Sequence, residues 1–327
     1  MSSIKTRLEE LKTSTMLFGL FFLAAIAVAK TVLLTNDDGF ASTNIRAAYR
    51  ELKKAGHDVI LVAPVLQRSS WGGKFDLPDS PTLNYDGEFG YVKAGDPSWG
   101  HEADDNRIWY FNGTPSSCVA FALDYVIPEH FGNVTVDLVV GGPNEGPNLS
   151  PGFYTVSGTM GAVYTGIYRG IPGISFSGSD FNNSFYKDSL NTAKDSPANI
   201  YAGKVVELVD KVLTSGGLPH GVGLNVNFPT VGTLNSKCSD PQWEITRMMG
   251  SGIFMQSLNF NSKSGLFDWN VTYYDGILDG CDVGDCGLSS EYEVYLKNDC
   301  RSTVSIFSID YDASINNSNK VRKALDM

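Results

Sequence analysis

The sequence predicts an α/β protein, a doubly wound, Rossmann-like, mostly parallel sheet followed by a β-rich C-terminal extension. Three observations carry that prediction. The runs at 31–35, 59–63 and 136–140 are short and continuously apolar, as parallel strands buried on both faces are. Segments with helical apolar spacing lie between them. Polar turns rich in Gly, Asp and Asn fall where these apolar runs end.

Taken in order, Thr31-Val-Leu-Leu-Thr35 reads as a strand broken by Asn36-Asp-Asp-Gly39. A helix is expected over 44–55, closed by Gly56 where a left-handed cap is favoured. The strand at 59–63 ends at Pro64, and strand, helix and strand together form a βαβ unit with a right-handed crossover. The stretch 75–106 is polar and rich in Gly, Asp and Pro, which reads as hairpins or a long excursion. Helical pattern resumes over 116–125. The strand at 136–140 runs into Gly141-Gly-Pro-Asn-Glu-Gly-Pro-Asn148. A helix is expected to start near Thr159, with a strand over 173–177. The clearest helix spans 196–215, with Ser196 as N-cap, Pro197 at the first helical position and Gly216-Gly217 after it. Beyond Pro229 the runs at 291–295 and 304–308 alternate, and they read as β-hairpins carrying cysteines. The expected division is a leader over 1–29, an α/β core over 30–230 and a hairpin-rich, disulfide-bearing extension over 231–327.

The leader is expected from the apolar run 16–29, which is shorter than the ~20 residues of a membrane span. It ends in Ala27-Val-Ala29, the small-x-small pattern of a signal-peptide cleavage site. Translation from Met16 would give a more typical leader, and an uncleaved membrane anchor is the rival reading. Cleavage predicts secretion, to the medium, the cell wall or a vacuolar lumen, with no stable membrane association afterwards. Removing residues 1–29 leaves 22 Lys and Arg against 34 Asp and Glu, a net charge of −12. Such a surface repels nucleic-acid polymers, whose binding rests on Lys and Arg neutralising phosphates. A phosphate-handling role would therefore need a local cation.

In an oxidising compartment the cluster Cys238, Cys281, Cys286 and Cys300 is expected to form two disulfides. A zinc site is the rival, but the spacing lacks paired C-x-x-C knuckles. Cys118, in an apolar stretch with no neighbouring His, is expected to be a buried thiol. The sequons at Asn112, Asn133, Asn148, Asn182, Asn270 and Asn316 fit a secreted glycoprotein, with Asn148 excepted because of its expected role in the site.

Ligands of a parallel sheet bind outside the carboxyl ends of its strands. Asp37 and Asp38 follow the first strand, and two adjacent carboxylates repel unless a cation neutralises them. Ser69 follows the second, and Asn144 and Asn148 lie in the third loop. These are hard oxygen donors, suited to Mg²⁺, Mn²⁺ or Ca²⁺. Ser157-Gly-Thr-Met-Gly161 leads into a helix whose free N–H groups would cradle an anion. Taken singly, each of these is also explained by ordinary turn or cap chemistry.

Together the loops resemble the SurE (survival protein) family of metal-dependent nucleotidases and phosphatases, including its secreted members described as acid phosphatases. The matching residues are Leu33-Leu-Thr-Asn-Asp-Asp-Gly39, Ala63-Pro64 with Arg68-Ser69, Gly113-Thr-Pro115, Gly142-Pro-Asn-Glu-Gly-Pro-Asn148 and Ser157-Gly-Thr159. The resemblance covers about residues 31–310. It implies one divalent cation per subunit, Mg²⁺ or Mn²⁺, held by Asp37, Asp38, Ser69 and Asn144. It places Asn36, Asn148, Ser157, Gly158 and Thr159 in the phosphate pocket, with Asp37 and Asp38 as catalytic groups. A small phosphomonoester is the implied substrate, and a homodimer or homotetramer built through the C-terminal extension the implied assembly. Two departures border the expected substrate entrance. Ser69-Ser70-Trp71 stands where the family pattern has Ser-Gly, and the insertion over 85–106 is long.

A histidine-based acid phosphatase is the second enzyme reading, but His57, His101, His130 and His220 stand in no Arg-His-Gly context. A secreted binding module that keeps a metal or nucleotide without turnover is the non-enzyme alternative.

Overall fold

The computed structural model describes residues 29–250, 253–274 and 283–326. The leader up to residue 28 and Cys281 lie outside the described residues. The chain begins with β1 (Thr31–Thr35), helix α1 (Thr43–Lys54) and β2 (Asp58–Pro64), the expected βαβ unit. Strands β3 (Trp99–His101) and β4 (Ile108–Phe111) follow, then α2 (Pro115–Phe121) and β5 (Leu138–Asn144). Next come α3 (Ser150–Val156), α4 (Gly158–Tyr168), β6 (Gly173–Ser177), α5 (Pro197–Thr214) and β7 (Val222–Asn227). The C-terminal third supplies β8 (Gln242–Thr246), the hairpin of β9 (Ile253–Asn261) and β10 (Leu266–Tyr274), helix α6 (Glu291–Lys297), β11 (Arg301–Ser308) and helix α7 (Ile315–Leu325).

The main sheet has the order β3-β4-β2-β1-β5-β6-β7-β11-β8. Its pairings from β4 to β7 are parallel, and β3–β4 and β7–β11 are antiparallel. The apolar runs explain this layering. Val32 and Leu34 pack with Ile45, Leu52, Val205 and Val209 of α1 and α5. Leu33 turns to the opposite face and packs with Cys118, Val119 and Ala162 of α2 and α4. Alternate side chains of one strand thus meet apolar layers on both faces, so the strand must be apolar throughout. Consecutive units proceed one way from β1 to β2 and the other way from β1 to β5, which makes the carboxyl end of β1 the switch point of the sheet.

Several local expectations are corrected. The stretch 291–295 is helical, because Ser290 and Glu293 form a reciprocal capping box that starts α6. The region after 231 accordingly combines one hairpin with two helices among the described residues, and β8 and β11 continue the main sheet. Helix α3 and strand β4 were not expected. The Ser196 side chain makes no cap bond to α5. The insertion over 85–106 folds against α1, where Glu102 is ion-paired with Arg46 and Asp105 accepts from Tyr49 and Lys53. Cys238 and Cys300 are bonded, tying the loop after β7 to the start of β11, and Cys286 is also disulfide-bonded. Cys118 is fully buried, and burial pushes its thiol well above the usual range. No helix among the described residues is long and apolar enough to cross a membrane.

Candidate active site at the carboxyl ends of three neighbouring strands

The polar turns after β2, β1 and β5 meet because those strands are neighbours in the sheet. They wall a cavity of about 500 Å³ lined by Asp37, Ser69, Asn144, Asn148 and Ser157. A second cavity, of about 590 Å³, is walled mainly by Tyr154, Tyr164, Tyr168 and Phe307 and holds no carboxylate.

Asp37 is buried and held at every oxygen. Oδ1 accepts from the Thr159 hydroxyl at 2.6 Å, Oδ2 from the Gly158 amide at 3.1 Å, and the carbonyl from the Arg68 amide at 2.6 Å. The Gly158 amide belongs to the start of α4, so a carboxylate sits where the helix dipole favours negative charge. A side chain at position 158 would lie 2.8 Å from the Asp37 Cβ, so only glycine permits this approach. Asp38 is 1% exposed, and its Oδ2 accepts from the Glu145 amide at 3.1 Å. Its Oδ1 is buried and has no hydrogen-bond partner.

Burial raises the Asp37 carboxyl, opposed by its hydrogen bonds from Thr159 and Gly158. Burial raises Asp38 much further, with the charges of Asp37, Glu145 and Asp180 adding to it. Asp180 is itself pushed up to about 6, chiefly by burial. The site thus concentrates negative charge beside an orphaned buried oxygen, which is costly unless a cation is supplied. Among the described residues no group of three or more His, Cys, Asp or Glu converges to hold a metal, here or elsewhere, so an ion at this site would also need neutral oxygen donors. Two carboxylates, the Ser69 hydroxyl and the Asn144 amide oxygen form an all-oxygen donor set that fits a hard divalent ion.

The remaining expected residues divide. Asn144 donates to the Gly146 carbonyl at 2.6 Å, leaving its amide oxygen toward Thr159 at 3.5 Å. The glycine before this turn is required, because Gly142 has φ +93 and a Cβ there would lie 2.1 Å from the Phe176 carbonyl. Asn148 donates to Asn227 through its amide N–H and to Ser177 through its side chain, both at 2.7 Å. Ser157 caps α4 by accepting from the Met160 amide at 3.2 Å while lining the cavity. Asn36, Asp38, Gly158 and Thr159 do not line it; Asp38 lies buried behind Asp37, with its Oδ2 turned to the Glu145 amide. The Asn36 amide braces its own turn, bonding Gly39 and Ser42, and so supports the carboxylates from behind. Gly158 and Thr159 grip Asp37, so the α4 N-terminus serves a protein carboxylate first.

Ser70 lines the cavity with φ 64, a left-handed conformation that explains why glycine is the family pattern there. No residue of the insertion over 85–106 is among the lining residues. Sequence reasoning missed Phe153, Phe181 and Tyr295, which give the cavity an aromatic side. Tyr295 comes from α6, and its only sequence signal was the Ser290-x-x-Glu293 capping box.

Residues 32–253 match the family model described as Survival protein SurE. The chain is 45% identical over 290 residues to the acid phosphatase of Yarrowia lipolytica, covering 86% of this chain and 80% of that protein. It is 32% identical over 200 residues to the 5'-nucleotidase SurE of a Synechococcus strain, covering 61% of this chain and 62% of that relative, less than two thirds of its length. Among solved structures, the SurE protein from Aquifex aeolicus matches with a TM-score of 0.61 at 25% identity, covering 91% of this chain and 100% of that one.

Proposed function

Because the chain belongs to the SurE survival-protein family, we propose that it is a divalent-metal-dependent phosphoric monoester hydrolase acting on small phosphomonoesters at the cavity of Asp37 and Asp38. The observation that carries this reading is the buried carboxylate pair, in which Asp37 lines one cavity with Ser69, Asn144 and Asn148 and the adjacent Asp38 Oδ1 has no hydrogen-bond partner. The oxygen donors suit a hard divalent ion, and the family resemblance narrows the proposal to Mg²⁺ or Mn²⁺.

Asp37, Asp38, Ser69 and Asn144 would hold the ion. When bound, it supplies positive charge for the phosphoryl oxygens and acidifies nearby water. The bonds from Thr159 and Gly158 oppose the rise that burial gives the Asp37 carboxyl and fix its orientation. Asp38 orients the attacking water and accepts its proton at Oδ1, the one carboxylate oxygen of the pair that no donor occupies. Ser157 and Asn148 grip the remaining phosphate oxygens from the cavity wall. Phe153, Phe181 and Tyr295 offer an apolar face to a base or an aromatic leaving group.

Secretion belongs to the same proposal. It is supported by the Ala27-Val-Ala29 pattern and by a disulfide between Cys238 and Cys300. The sequons at Asn133, Asn182 and Asn316 are exposed, as glycan acceptors must be.

The decisive experiment is a panel of nucleoside monophosphates and p-nitrophenyl phosphate, assayed with EDTA and after adding back Mg²⁺ or Mn²⁺. Metal-restored release of phosphate is expected. Absence of turnover with every divalent ion would leave a non-catalytic metal- or nucleotide-binding protein.

A further inference from the structure

Behind the Asn148 turn lies a buried carboxylate that the proposed chemistry does not use. Glu291 is the first residue of α6, beyond the segment that matches the family model, and it is fully buried. Its Oε1 accepts from the Ser150 amide at 2.6 Å. Its Oε2 accepts from the Asn225 side chain at 3.1 Å and from the Ser305 hydroxyl at 2.8 Å. The same Asn225 nitrogen donates to the Asn148 carbonyl at 2.9 Å. Ser150 has φ 66, a conformation that a non-glycine residue keeps only when its surroundings enforce it. Four residues along α6, on the same helical face, Tyr295 lines the cavity itself.

A carboxylate only accepts hydrogen bonds, so it dictates which way the Asn225 amide points. With the nitrogen turned to Glu291, it also reaches Asn148. Glutamine at 291 would set one amide donor against another, and turning Asn225 over would place its oxygen against the Asn148 carbonyl.

We propose that Glu291 is a positioning residue: from the C-terminal helix it fixes the Asn148–Ser150 turn, and through that turn the Asn148 side chain that grips phosphate. The proposal rests on the phosphomonoesterase reading of the cavity.

The test compares Glu291→Gln, Asn225→Ala and Ser305→Ala in the whole chain with saturating divalent ion. The readouts are kcat and KM for p-nitrophenyl phosphate, the inhibition constant of inorganic phosphate, and amide hydrogen exchange over residues 146–158. Glu291→Gln and Asn225→Ala are each expected to raise KM and the phosphate inhibition constant about tenfold, the effect of one or two lost buried hydrogen bonds. kcat should change much less, and exchange over 146–158 should quicken. Ser305→Ala removes a bond on the side away from the turn and should leave these readouts near wild type. Wild-type phosphate inhibition and exchange in the first two variants would overturn the proposal, as would an equal shift in Ser305→Ala. Should the wild-type chain release no phosphate with any ion, the hydrolase reading fails instead, and the exchange comparison still decides whether Glu291 holds the turn.

Discussion

The hydroxyl of Thr159 donates to Asp37 Oδ1 across 2.6 Å, joining the first turn of α4 to the carboxylate that follows β1. This bond is the largest of the influences that pull the Asp37 carboxyl down against its burial. Removing it should make Asp37 harder to ionise. The near-isosteric Thr159→Val is therefore expected to move the acidic limb of the pH–rate profile to higher pH and to lower kcat/KM by about 10–100-fold, the range of one charge-assisted hydrogen bond. A profile with an unmoved limb would show that Asp37 ionises independently of α4.

Asp38→Asn separates catalysis from stability. On the proposed mechanism the variant lacks the proton acceptor and one negative ligand, so turnover should fall by about 10³-fold or more. Burial and the charges of Asp37, Glu145 and Asp180 all disfavour the ionised Asp38 in the metal-free protein. The neutral variant is therefore expected to melt no lower than wild type in EDTA, the pattern of a site that trades stability for activity. Kinetics and thermal melts on the same preparations check both halves, and near wild-type turnover would remove Asp38 from the mechanism.

Which parts of this arrangement were legible in the sequence follows from what each part depends on. The strands at Thr31–Thr35 and Gly173–Ser177 are set by local apolar runs, and the structure has them with those bounds. The meeting of Asp37, Ser69, Asn144 and Asn148 followed from the rule that loops at neighbouring strand ends converge. The division of labour among them did not. Whether the Asn36 amide faces the cavity or its own turn depends on the position of the Ser42 hydroxyl, which no spacing rule encodes. Thr159 reads as an N-terminal helix residue, and only the register between β1 and α4 turns its hydroxyl onto Asp37. The stretch 291–295 alternates as a strand would, yet a capping box and the burial of Glu291 against β7 and β11 make it helical, a tertiary override of pattern. Tyr295 and Glu291 were invisible for that reason.

Glu291 also makes stability depend on pH. Burial raises its carboxyl from 4.5 to about 7, opposed by its bonds from Ser150, Ser305 and Asn225. A carboxyl with a raised folded-state pKa binds more protons folded than unfolded, so its contribution is full below the unfolded value and is lost as pH rises through the folded one. The loss across pH 4.5–7 is about 3 kcal/mol at most. Glu291→Gln has no such titration, so the stability gap between wild type and variant should narrow from pH 5 to pH 8. Urea unfolding in EDTA at the two pH values measures this, and a constant gap would show that Glu291 does not titrate there.

The Cys238–Cys300 bond closes a sequence separation of 62 residues and anchors the start of β11, the strand that carries Ser305 toward Glu291. Cross-linking a loop of that length stabilises by about 4 kcal/mol in the chain-entropy description. The double variant Cys238→Ser, Cys300→Ser should therefore melt well below wild type, and reduction of the native chain with dithiothreitol, which also opens the Cys286 bond, should lower the midpoint at least as far. An unchanged midpoint would mean that the sheet edge holds β11 without the bond.

Metal binding should be visible without turnover. An ion that binds the folded chain and not the unfolded one stabilises it by RT ln(1 + [L]/Kd), about 2.7 kcal/mol at a hundredfold excess over Kd. Here it also offsets the burial and the neighbouring charges that raise Asp38, so the gain should grow with pH as the pair ionises and competing protons leave. The expected result is an upward shift of the melting midpoint with Mg²⁺ or Mn²⁺ in wild type and a much smaller shift in Asp38→Asn. Because that variant keeps Ser69, Asn144 and Asp37, an equal shift in both proteins would place the ion away from the Asp38 carboxylate, and the assignment of the strand-end cavity as the metal centre would fall.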